Sequence, residues 1–593
     1  MPKNIKKFGH KLKRTAKIFT ISGWLENYNF KKFSKDLQAG ITVGIILIPK
    51  TMAYAMIAGV PPVYGLYACI FPLLIYPLFG TSRHIIISTI AIDMVIIAAG
   101  VGNIASLGTG EYIMLVTLLA FMVGVIQLCM FSLKLGFLIN YISRPVVTGF
   151  ALAAALIIMT GQVSNLIGIE TQYSPYVYEV WSEIIAYIGN INFFTIVIGG
   201  MSILFLIAVK LWRPKLPGYL IILILGVISS WYFNLPEKGV RVVGNIPAGL
   251  PGFSFPDLNL NNFRELLSTA VTLALVQFMT LSTLAKTYAS RHRYPIEPNQ
   301  ELLSLGLGNM INGFFKAIPV SASFSCTAVN DQTCSRTAMP HVFAAAVVIL
   351  TLLLLTPLFY YLPYASLAAV VMAAAFNLVD FKSIKFLYNT KKIDYHIALF
   401  TFITTLLIGI QEGILLGVAA SLLAILYRQS HPNVVELGHL SGTRSFKDLS
   451  RFSKAHKLEK ILILRIDASF SFNNVEVFKE YIFKKSRNHD DKLEAVIVDG
   501  SAINDLDTTA LDAIEMIRNT LKKWDIEFYI TGLKGPVRDV LKRAGLYEKM
   551  GKKEYIFRTP HRAVLHILDK WDQKNKDSDR LGYYYRRIEK DRE

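Results

Sequence analysis

The feature that most limits the fold of this sequence is a series of apolar runs, separated by short polar breaks, from residue 37 to residue 428. A helix needs about 20 apolar residues to cross the hydrocarbon core of a bilayer. Hydrophobic residues make up 53% of the 593 residues and charged residues 18%, against about 45–50% and about 25% in soluble domains. The chain is therefore predicted to be a polytopic α-helical membrane protein.

We predict fourteen segments that cross the bilayer fully or in part. They cover residues 38–58, 63–80, 84–101, 111–132, 140–164, 191–211, 218–234, 262–287, 299–315, 321–336, 338–361, 363–379, 393–410 and 411–428. Lys and Arg collect on the cytoplasmic loops of membrane proteins, and the loop at 165–190 contains neither. This pattern and the even number of segments place both termini in the cytoplasm, at a plasma or inner membrane.

The fourteen segments divide into two sets of seven, and the third segment of each set is interrupted and rich in Ser and Thr. The two stretches are GTSRHIIISTIA at 80–91 and PVSASFSCTAVN at 319–330. A helix that begins in mid-membrane leaves free N–H groups and the positive end of its dipole. Two such ends predict a site that replaces the hydration shell of a small anion. The alternative is that the Ser and Thr residues only permit close helix packing.

One basic side chain interrupts the apolar interior of the first segment. Lys50 lies about ten residues into that segment, which puts it near the middle of the membrane. A buried lysine there is a functional candidate because its insertion is unfavourable. It is either a countercharge for an anion, a proton site, or one half of a structural ion pair with Asp93, the acid of the third segment.

Three further parts differ in composition from the apolar series. Residues 1–36 form a basic cytoplasmic tail with ten Lys and Arg residues, and residues 572–593 form a polar tail. Between residues 432 and 571 short apolar strands alternate with helical patterns, which predicts a small α/β domain. Although the net charge of +20 would suit nucleic acid, the basic residues lie between apolar runs, so the predicted partner is the lipid bilayer.

Three stretches resemble known families. LIPKTMAYAMIAGVPPVYGLYACIFPLLIYPLFGTSRH at 47–84 and PNQELLSLGLGNMINGFFKAIPVSASFSCTAVN at 298–330 resemble the SulP family, the bacterial relatives of the SLC26 anion transporters. VIVDGSAINDLDTTALDAIEMI at 496–517 resembles the STAS domain. The resemblance implies a 7+7 inverted repeat, shared with uracil permeases, in which a core moves against a gate. It also implies transport of sulfate, bicarbonate, chloride or similar anions, often by a homodimer.

The resemblance also implies a set of site residues, with the anion held between the third and tenth segments and the eighth segment beside them. The implied residues are Ser88, Thr89, Gln277, Thr280, Phe324, Ser325 and Cys326. Gln277 and Thr280 either line the cavity or make hydrogen bonds that pack the helices.

Three of the chain's residues depart from the family pattern. Lys50 replaces a Gln or Glu, Thr280 replaces a carboxylate that would suit cation coupling, and Cys326 replaces an Arg. The positive charge lost at Cys326 is predicted to be supplied by Lys50. Without a carboxylate at Thr280, cation symport of the usual kind is in doubt.

The STAS-like loop offers a candidate for regulation at Asp507, Thr508 and Thr509. The family resemblance implies that a threonine here is a phosphorylation switch read by a cytoplasmic partner. The alternative is structural, with Asp507 or Thr508 capping the N–H groups of the helix that follows.

The leading prediction is a secondary transporter of a small inorganic anion, sulfate first and bicarbonate or chloride next, working by alternating access. The four cysteines show no metal-binding spacing, and the sequence has no nucleotide-binding loop or catalytic motif, so we expect no metal, no cofactor and no enzyme activity. A membrane sensor or scaffold that signals through the STAS domain is the alternative, since three departures at one site would accompany lost transport. An uncoupled anion channel is a third possibility, intermediate between a transporter and a sensor.

Overall fold

The computed structural model describes residues 28–136, 143–169, 176–212, 216, 218–245, 247, 249–333, 335–376, 378–440, 443–487, 493–551 and 554–574. Most of the predicted basic tail at 1–36 and of the polar tail at 572–593 therefore lies outside the described residues. The chain divides into two compact units between Ser421 and Leu422, and each unit is described by itself.

The helical unit consists of two successive series of helices, each interrupted by a two-residue strand. The first series is α1 (Phe30–Ile57), α2 (Val63–Phe79), β1 (Ile87–Ser88), α3 (Ala91–Gly102), α4 (Gly110–Ser132), α5 (Arg144–Ile167), α6 (Val177–Ala186), α7 (Phe193–Trp212) and α8 (Gly218–Tyr232). The second is α9 (Leu260–His292), α10 (Pro298–Phe314), β2 (Ser321–Ala322), α11 (Phe324–Gln332), α12 (Pro340–Leu350), α13 (Tyr364–Phe376), α14 (Phe381–Thr390), α15 (Lys392–Leu407) and α16 (Ile410–Ser430).

The predicted segments match these elements once β1 with α3 and β2 with α11 are taken as the third segment of each series. By length and composition, eight helical stretches of the described chain suit a membrane crossing. The sequence did not predict α6 and α14, two ten-residue helices that follow the fifth segment of each series. Their polar faces lower the mean hydropathy below that of a membrane segment.

The largest differences from the predicted segment boundaries are in α1 and α12. Helix α1 begins at Phe30 rather than at residue 38, because the Asn29 side chain caps it by accepting a hydrogen bond from the Lys32 amide (3.0 Å). The buried Asp36 inside this extension accepts hydrogen bonds from the Arg336 amide and the Thr337 hydroxyl. Helix α12 ends at Leu350 and continues as a π turn and a 3-10 turn; Pro357 cannot donate the hydrogen bond that a regular helix would require.

The second unit is an α/β domain built on one sheet. Its elements are β3 (Val434–Leu440), β4 (Phe446–Asp448), β5 (Ala455–His456), β6 (Ile461–Ile466), α17 (Val475–Arg487), β7 (Ala495–Asp499), α18 (Thr508–Lys523), β8 (Glu527–Thr531), α19 (Gly535–Arg543), α20 (Leu546–Lys549), β9 (Ile556–Phe557) and α21 (Pro560–Lys574). The strand order is β4-β3-β6-β7-β8-β9, with β5 paired to β3. Strands β6 to β9 are parallel, and a hydrophobic cluster covers each face of the sheet.

Candidate functional site

Two short strands bring the interrupted segments together in the interior of the helical unit. Strands β1 and β2 pair antiparallel, with Ile87 opposite Ala322 and Ser88 opposite Ser321. The Ser323 amide donates to the Ile86 carbonyl (2.9 Å) and so extends the pairing. Each strand leads within three residues into a helix, α3 or α11, so the free N–H groups that begin both helices lie at opposite ends of one hydrogen-bonded ribbon.

The beginning of α11 is partly open. Ser323 caps it, and the Ser323 hydroxyl accepts a hydrogen bond from the Cys326 amide (3.3 Å). Cys326 is fully buried, whereas Ser325 is exposed and Phe324 is 57% exposed. The exposure of Phe324 and Ser325 leaves the beginning of α11 accessible rather than covered by other helices.

The beginning of α3 is closed and has an unsatisfied hydroxyl. Ser88 and Thr89 are fully buried, and the Ser88 hydroxyl donates to the Thr89 carbonyl (3.3 Å). Among the described residues, no group forms a hydrogen bond with the Thr89 hydroxyl. A buried hydroxyl without a partner is uncommon in proteins and marks a place where a ligand or water would be stabilised.

Helix α1 delivers a positive charge to the beginning of α11. Lys50 follows Pro49, a break in the hydrogen bonding of α1, and its side chain is nearly fully buried. Its Nζ donates to the hydroxyl of Ser323 and lies 3.5 Å from the Sγ of Cys326. The Tyr54 ring lies below the ammonium, 5.3 Å from Nζ to the ring centroid. The cation therefore occupies the space beside Cys326.

The structure does not form the ion pair of Lys50 with Asp93 that the sequence suggested. The Lys50 ammonium is engaged by Ser323 and Cys326, and Asp93 Oδ2 accepts a hydrogen bond from the Gln277 Nε2 amide (3.0 Å) instead. The correction has a geometric reason: Asp93 lies in the first turn of α3, where it faces α9, whereas Lys50 faces α11. The sequence does not reveal which of two neighbouring half-helices a lysine approaches.

Gln277 and Thr280, the two candidates on α9, make hydrogen bonds to other groups of the protein. The Thr280 hydroxyl donates to the Val276 carbonyl of its own helix (2.9 Å). The Gln277 side chain, fully buried, donates to Asp93 and accepts hydrogen bonds from Gln127 (3.0 Å) and Asn309 (2.8 Å). Of the two alternatives for these residues, their positions favour packing over lining an open cavity.

Comparison with known proteins identifies the family. A model of the sulfate permease family matches residues 33–401, and a model of the STAS domain matches residues 453–563. The chain belongs to the sulfate permease family. "Sulfate transporter 4.1, chloroplastic" of Arabidopsis thaliana is 32% identical over 95% of this chain and 85% of the relative. A probable sulfate transporter of Mycobacterium tuberculosis is 30% identical over 92% of this chain and 98% of the relative.

Solved structures share the fold of this chain. The structure of SLC26A9 superposes with a TM-score of 0.86 at 22% identity and covers 96% of each chain. The transmembrane domain of the cyanobacterial bicarbonate transporter BicA superposes with a TM-score of 0.58 at 22% identity, over 66% of this chain and 98% of that chain. The predicted 7+7 membrane fold with a C-terminal STAS domain is thereby confirmed, as is membership of a family of membrane anion transporters rather than enzymes.

The STAS loop of this chain resolves the choice between two capping residues. Asp507 caps α18, because its Oδ1 accepts a hydrogen bond from the Ala510 amide (2.8 Å) and its Oδ2 accepts one from the Phe472 amide (2.7 Å). Thr508 and Thr509 begin the helix and are exposed. The predicted structural role therefore belongs to Asp507, and both threonines are accessible from solvent.

Sequence reasoning missed the residues that surround the candidate site. The sequence analysis names Ser325 but not Ser323, and it does not name Gln127 or Asn309. An amide side chain within an apolar segment is nevertheless a signal of buried hydrogen bonding.

The sequence analysis also missed a cluster of His84, His292 and Asp331, whose ligand atoms lie within 4.8 Å of one another. The two imidazole rings of that cluster are stacked, with centroids 4.1 Å apart, so their in-plane nitrogens do not converge on one ion as metal ligands would.

Proposed function

We propose that this chain is a secondary transporter of a small inorganic anion, sulfate first and bicarbonate or chloride next, that works by alternating access. The observation that carries the proposal is the Lys50 ammonium at the beginning of α11, in contact with Ser323 and 3.5 Å from Cys326. The names of the relatives support an anion, since they are called sulfate transporters. BicA, whose transmembrane domain shares the fold, is called a bicarbonate transporter.

The proposed site combines three sources of positive potential in the interior of the helical unit. The first N–H groups of α3 and of α11 are free of helical partners, and each helix presents the positive end of its dipole there. Lys50 adds a full charge beside α11. Backbone N–H groups would hold the anion, with Thr89 and Ser325 as side-chain donors, and the exposed Phe324 would lie at the opening. In a medium of low dielectric, such an arrangement can replace much of the hydration energy of a small anion.

The cellular setting is part of the same proposal. The distribution of Lys and Arg supports cytoplasmic termini, and we propose a plasma or inner membrane location. Assembly as a homodimer and regulation by a cytoplasmic partner at Thr508 or Thr509 are proposed from the family resemblance. Phosphate on either threonine would be stabilised by the beginning of α18, which both residues occupy.

Uptake of labelled sulfate into proteoliposomes tests the proposal, with unlabelled bicarbonate and chloride as competitors. Saturable uptake that competitors reduce is the expected result for a carrier. Anion current that rises without saturation would replace the carrier with a channel. If sulfate, bicarbonate and chloride all fail to cross, the proposal is wrong and the sensor or scaffold alternative takes its place.

A further inference from the structure

The carboxyl group of Asp93 is buried in the interior of the helical unit with one oxygen unbound. Asp93 is fully buried and is the third residue of α3, one helical turn after Thr89. Its Oδ2 accepts a hydrogen bond from Gln277 Nε2 (3.0 Å). Its Oδ1 is buried, and none of the described residues forms a hydrogen bond with it. A carboxylate held by one neutral donor in such a place is poorly compensated.

A chain of hydrogen bonds determines which end of the Gln277 amide faces Asp93. The Val320 backbone N–H can only donate, so it identifies its acceptor as Asn309 Oδ1 (2.8 Å). Asn309 Nδ2 then points to Gln277 Oε1 (2.8 Å) and to Gln127 Oε1 (3.0 Å). Gln277 must therefore present its Nε2 to Asp93. Orientations of side-chain amides are ordinarily ambiguous, and here a backbone group removes the ambiguity.

This orientation favours a proton over a metal cation at Asp93. A sodium ion would need a cage of oxygen ligands, whereas Gln277 offers Asp93 an N–H group. Because Oδ2 already accepts that N–H, a proton on the carboxyl group belongs on Oδ1, the oxygen without a partner. The neutral carboxylic acid satisfies Oδ2 fully and removes the buried negative charge.

Few other groups can compensate a charge on Asp93. Helices α1, α4, α5 and α9 pack against α3, and apart from Lys50 their charged residues lie within the first two or last two turns of each helix. From α1 the titratable groups away from the helix ends are Lys50 and Tyr54. From α9 the neutral amide of Gln277 donates to Asp93, and from α4 the amide of Gln127 donates to Gln277; the other buried polar groups of these two helices are neutral Ser, Thr and Tyr hydroxyls. Lys50 is bound to Ser323 and Cys326 and makes no ion pair with Asp93 in the described structure.

We infer that Asp93 is the proton-binding residue that couples anion binding to protonation in this transporter. The inference rests on the proposed function and names its coupling ion. Ionised Asp93, in the first turn of α3, opposes both Lys50 and the positive end of α3, whereas neutral Asp93 leaves one net positive charge for the anion. Binding of the anion and binding of the proton therefore strengthen each other by the same factor. The proton enters from water with the anion, resides on Oδ1 and leaves with the anion on the other side.

The test is uptake of labelled sulfate into proteoliposomes with an imposed proton gradient and the membrane potential clamped. In the unmodified protein, an inward proton gradient stimulates uptake, and the KM for sulfate rises by up to about tenfold per pH unit on the alkaline side, as linkage to one proton requires. Asp93→Asn keeps the shape and cannot ionise. It retains sulfate exchange, and both the stimulation and the pH dependence of KM disappear. Glu111→Gln, which changes an exposed acid in the first turn of α4, keeps both.

The outcomes separate this inference from the proposed function. Absence of anion uptake by the unmodified protein defeats the proposed function itself. Uptake that ignores the proton gradient, uptake that follows a sodium gradient instead, or stimulation that survives in Asp93→Asn overturns the inference alone. If Asp93→Asn does not fold, the unmodified protein in weakly buffered detergent solution is titrated with sulfate across a range of pH. Uptake of up to about one proton per chain is expected from the linkage, and no uptake at any pH overturns the inference.

Discussion

At the scale of single residues, the candidate site depends on where a charge lies in space rather than where it lies in the chain. The family resemblance implies an Arg at the position of Cys326, on α11 itself. Here the cation comes from Lys50 on α1, and its Nζ lies 3.5 Å from the Cys326 Sγ. A charge that reaches the same point from another helix acts on an anion in the same way, because Coulomb energy depends only on distance and dielectric.

This relocation of charge predicts a reciprocal rescue. Lys50→Gln is expected to raise the KM for sulfate by about 10- to 100-fold, as loss of a hydrogen bond from a charged group does. Adding Cys326→Arg to that variant should recover much of the affinity, whereas Cys326→Arg alone should impair uptake because two cations would be in contact. The KM for sulfate of all three variants is measured by uptake into proteoliposomes.

Lys392→Gln, which changes an exposed lysine on α15, is the control. Additive effects of Lys50→Gln and Cys326→Arg on KM would contradict the relocation of the charge.

The capping residue of the STAS loop predicts a smaller and purely structural effect. Asp507→Ala removes the acceptor of the Ala510 and Phe472 amides and should lower the free energy of unfolding of the C-terminal unit by about 1 kcal/mol. Thr509→Ala, two residues further along the chain and exposed, should change it by less than about 0.5 kcal/mol. Urea unfolding followed by fluorescence measures both. Equal losses in the two variants would show that the Asp507 cap contributes nothing specific.

How much of the site can be predicted from the sequence depends on how far apart in the chain the interacting residues lie. Lys50 and the two interrupted segments were predictable, because a charge or a polar run within an apolar segment is a local signal. The partners of Lys50 were not, since Ser323 and Cys326 lie 273 and 276 residues away in the chain. The alternative of an ion pair with Asp93 stayed open in the sequence because of the same limit: an acid and a base in nearby segments attract in principle, but the helix face that each occupies decides whether they meet.

At the scale of elements, the position of Lys50 depends on how closely α1 and α2 approach. A Cβ atom on Gly65 of α2 would lie 2.0 Å from the Thr51 carbonyl oxygen of α1. Small residues allow membrane helices such close contact. Because Thr51 follows Lys50 directly, this contact also determines the height and direction from which the lysine enters the site.

Gly65→Ala is therefore expected to push α1 away from α2. The overpacking should destabilise the protein by about 1–3 kcal/mol and raise the KM for sulfate as Lys50 moves. Gly161→Ala is the matched control on α5, since no atom lies within 4 Å of its added Cβ. Thermal unfolding in detergent measures the stability of both variants, and uptake into proteoliposomes measures their KM for sulfate. If Gly161→Ala is as destabilising as Gly65→Ala, helix approach is not the cause.

At the scale of the whole molecule, the two series of helices carry a mark of internal repetition beyond their interrupted third segments. Helices α6 and α14 are both ten residues long and both follow the fifth segment of their series. Hydropathy alone did not reveal them because they are short and amphipathic. The two-residue strands β1 and β2 were likewise below the length at which alternation is readable, whereas the long helices and the main strands of the STAS domain were predictable from periodicity.

The separation of the chain into two units predicts that transport selectivity belongs to the first. All the candidate anion-site residues lie before the division at Ser421 and Leu422. A chain that ends at Ser430, the last residue of α16, should keep the order of preference among sulfate, bicarbonate and chloride and change only the rate of uptake. Competition assays on the shortened chain measure the order. A changed preference would mean that the STAS domain contributes to the site.

The ribbon of β1 and β2 has a consequence for direction. Backbone hydrogen bonds tie the ends of α3 and α11 into one piece, so under the proposed function their separation stays constant whichever side of the membrane the site faces. A site of constant geometry has the same intrinsic affinity at both openings. Such a carrier has no built-in direction: the gradients of the anion and of any proton coupled to it, together with the voltage, decide whether it imports or exports, and a cell can reverse its flow without altering the protein.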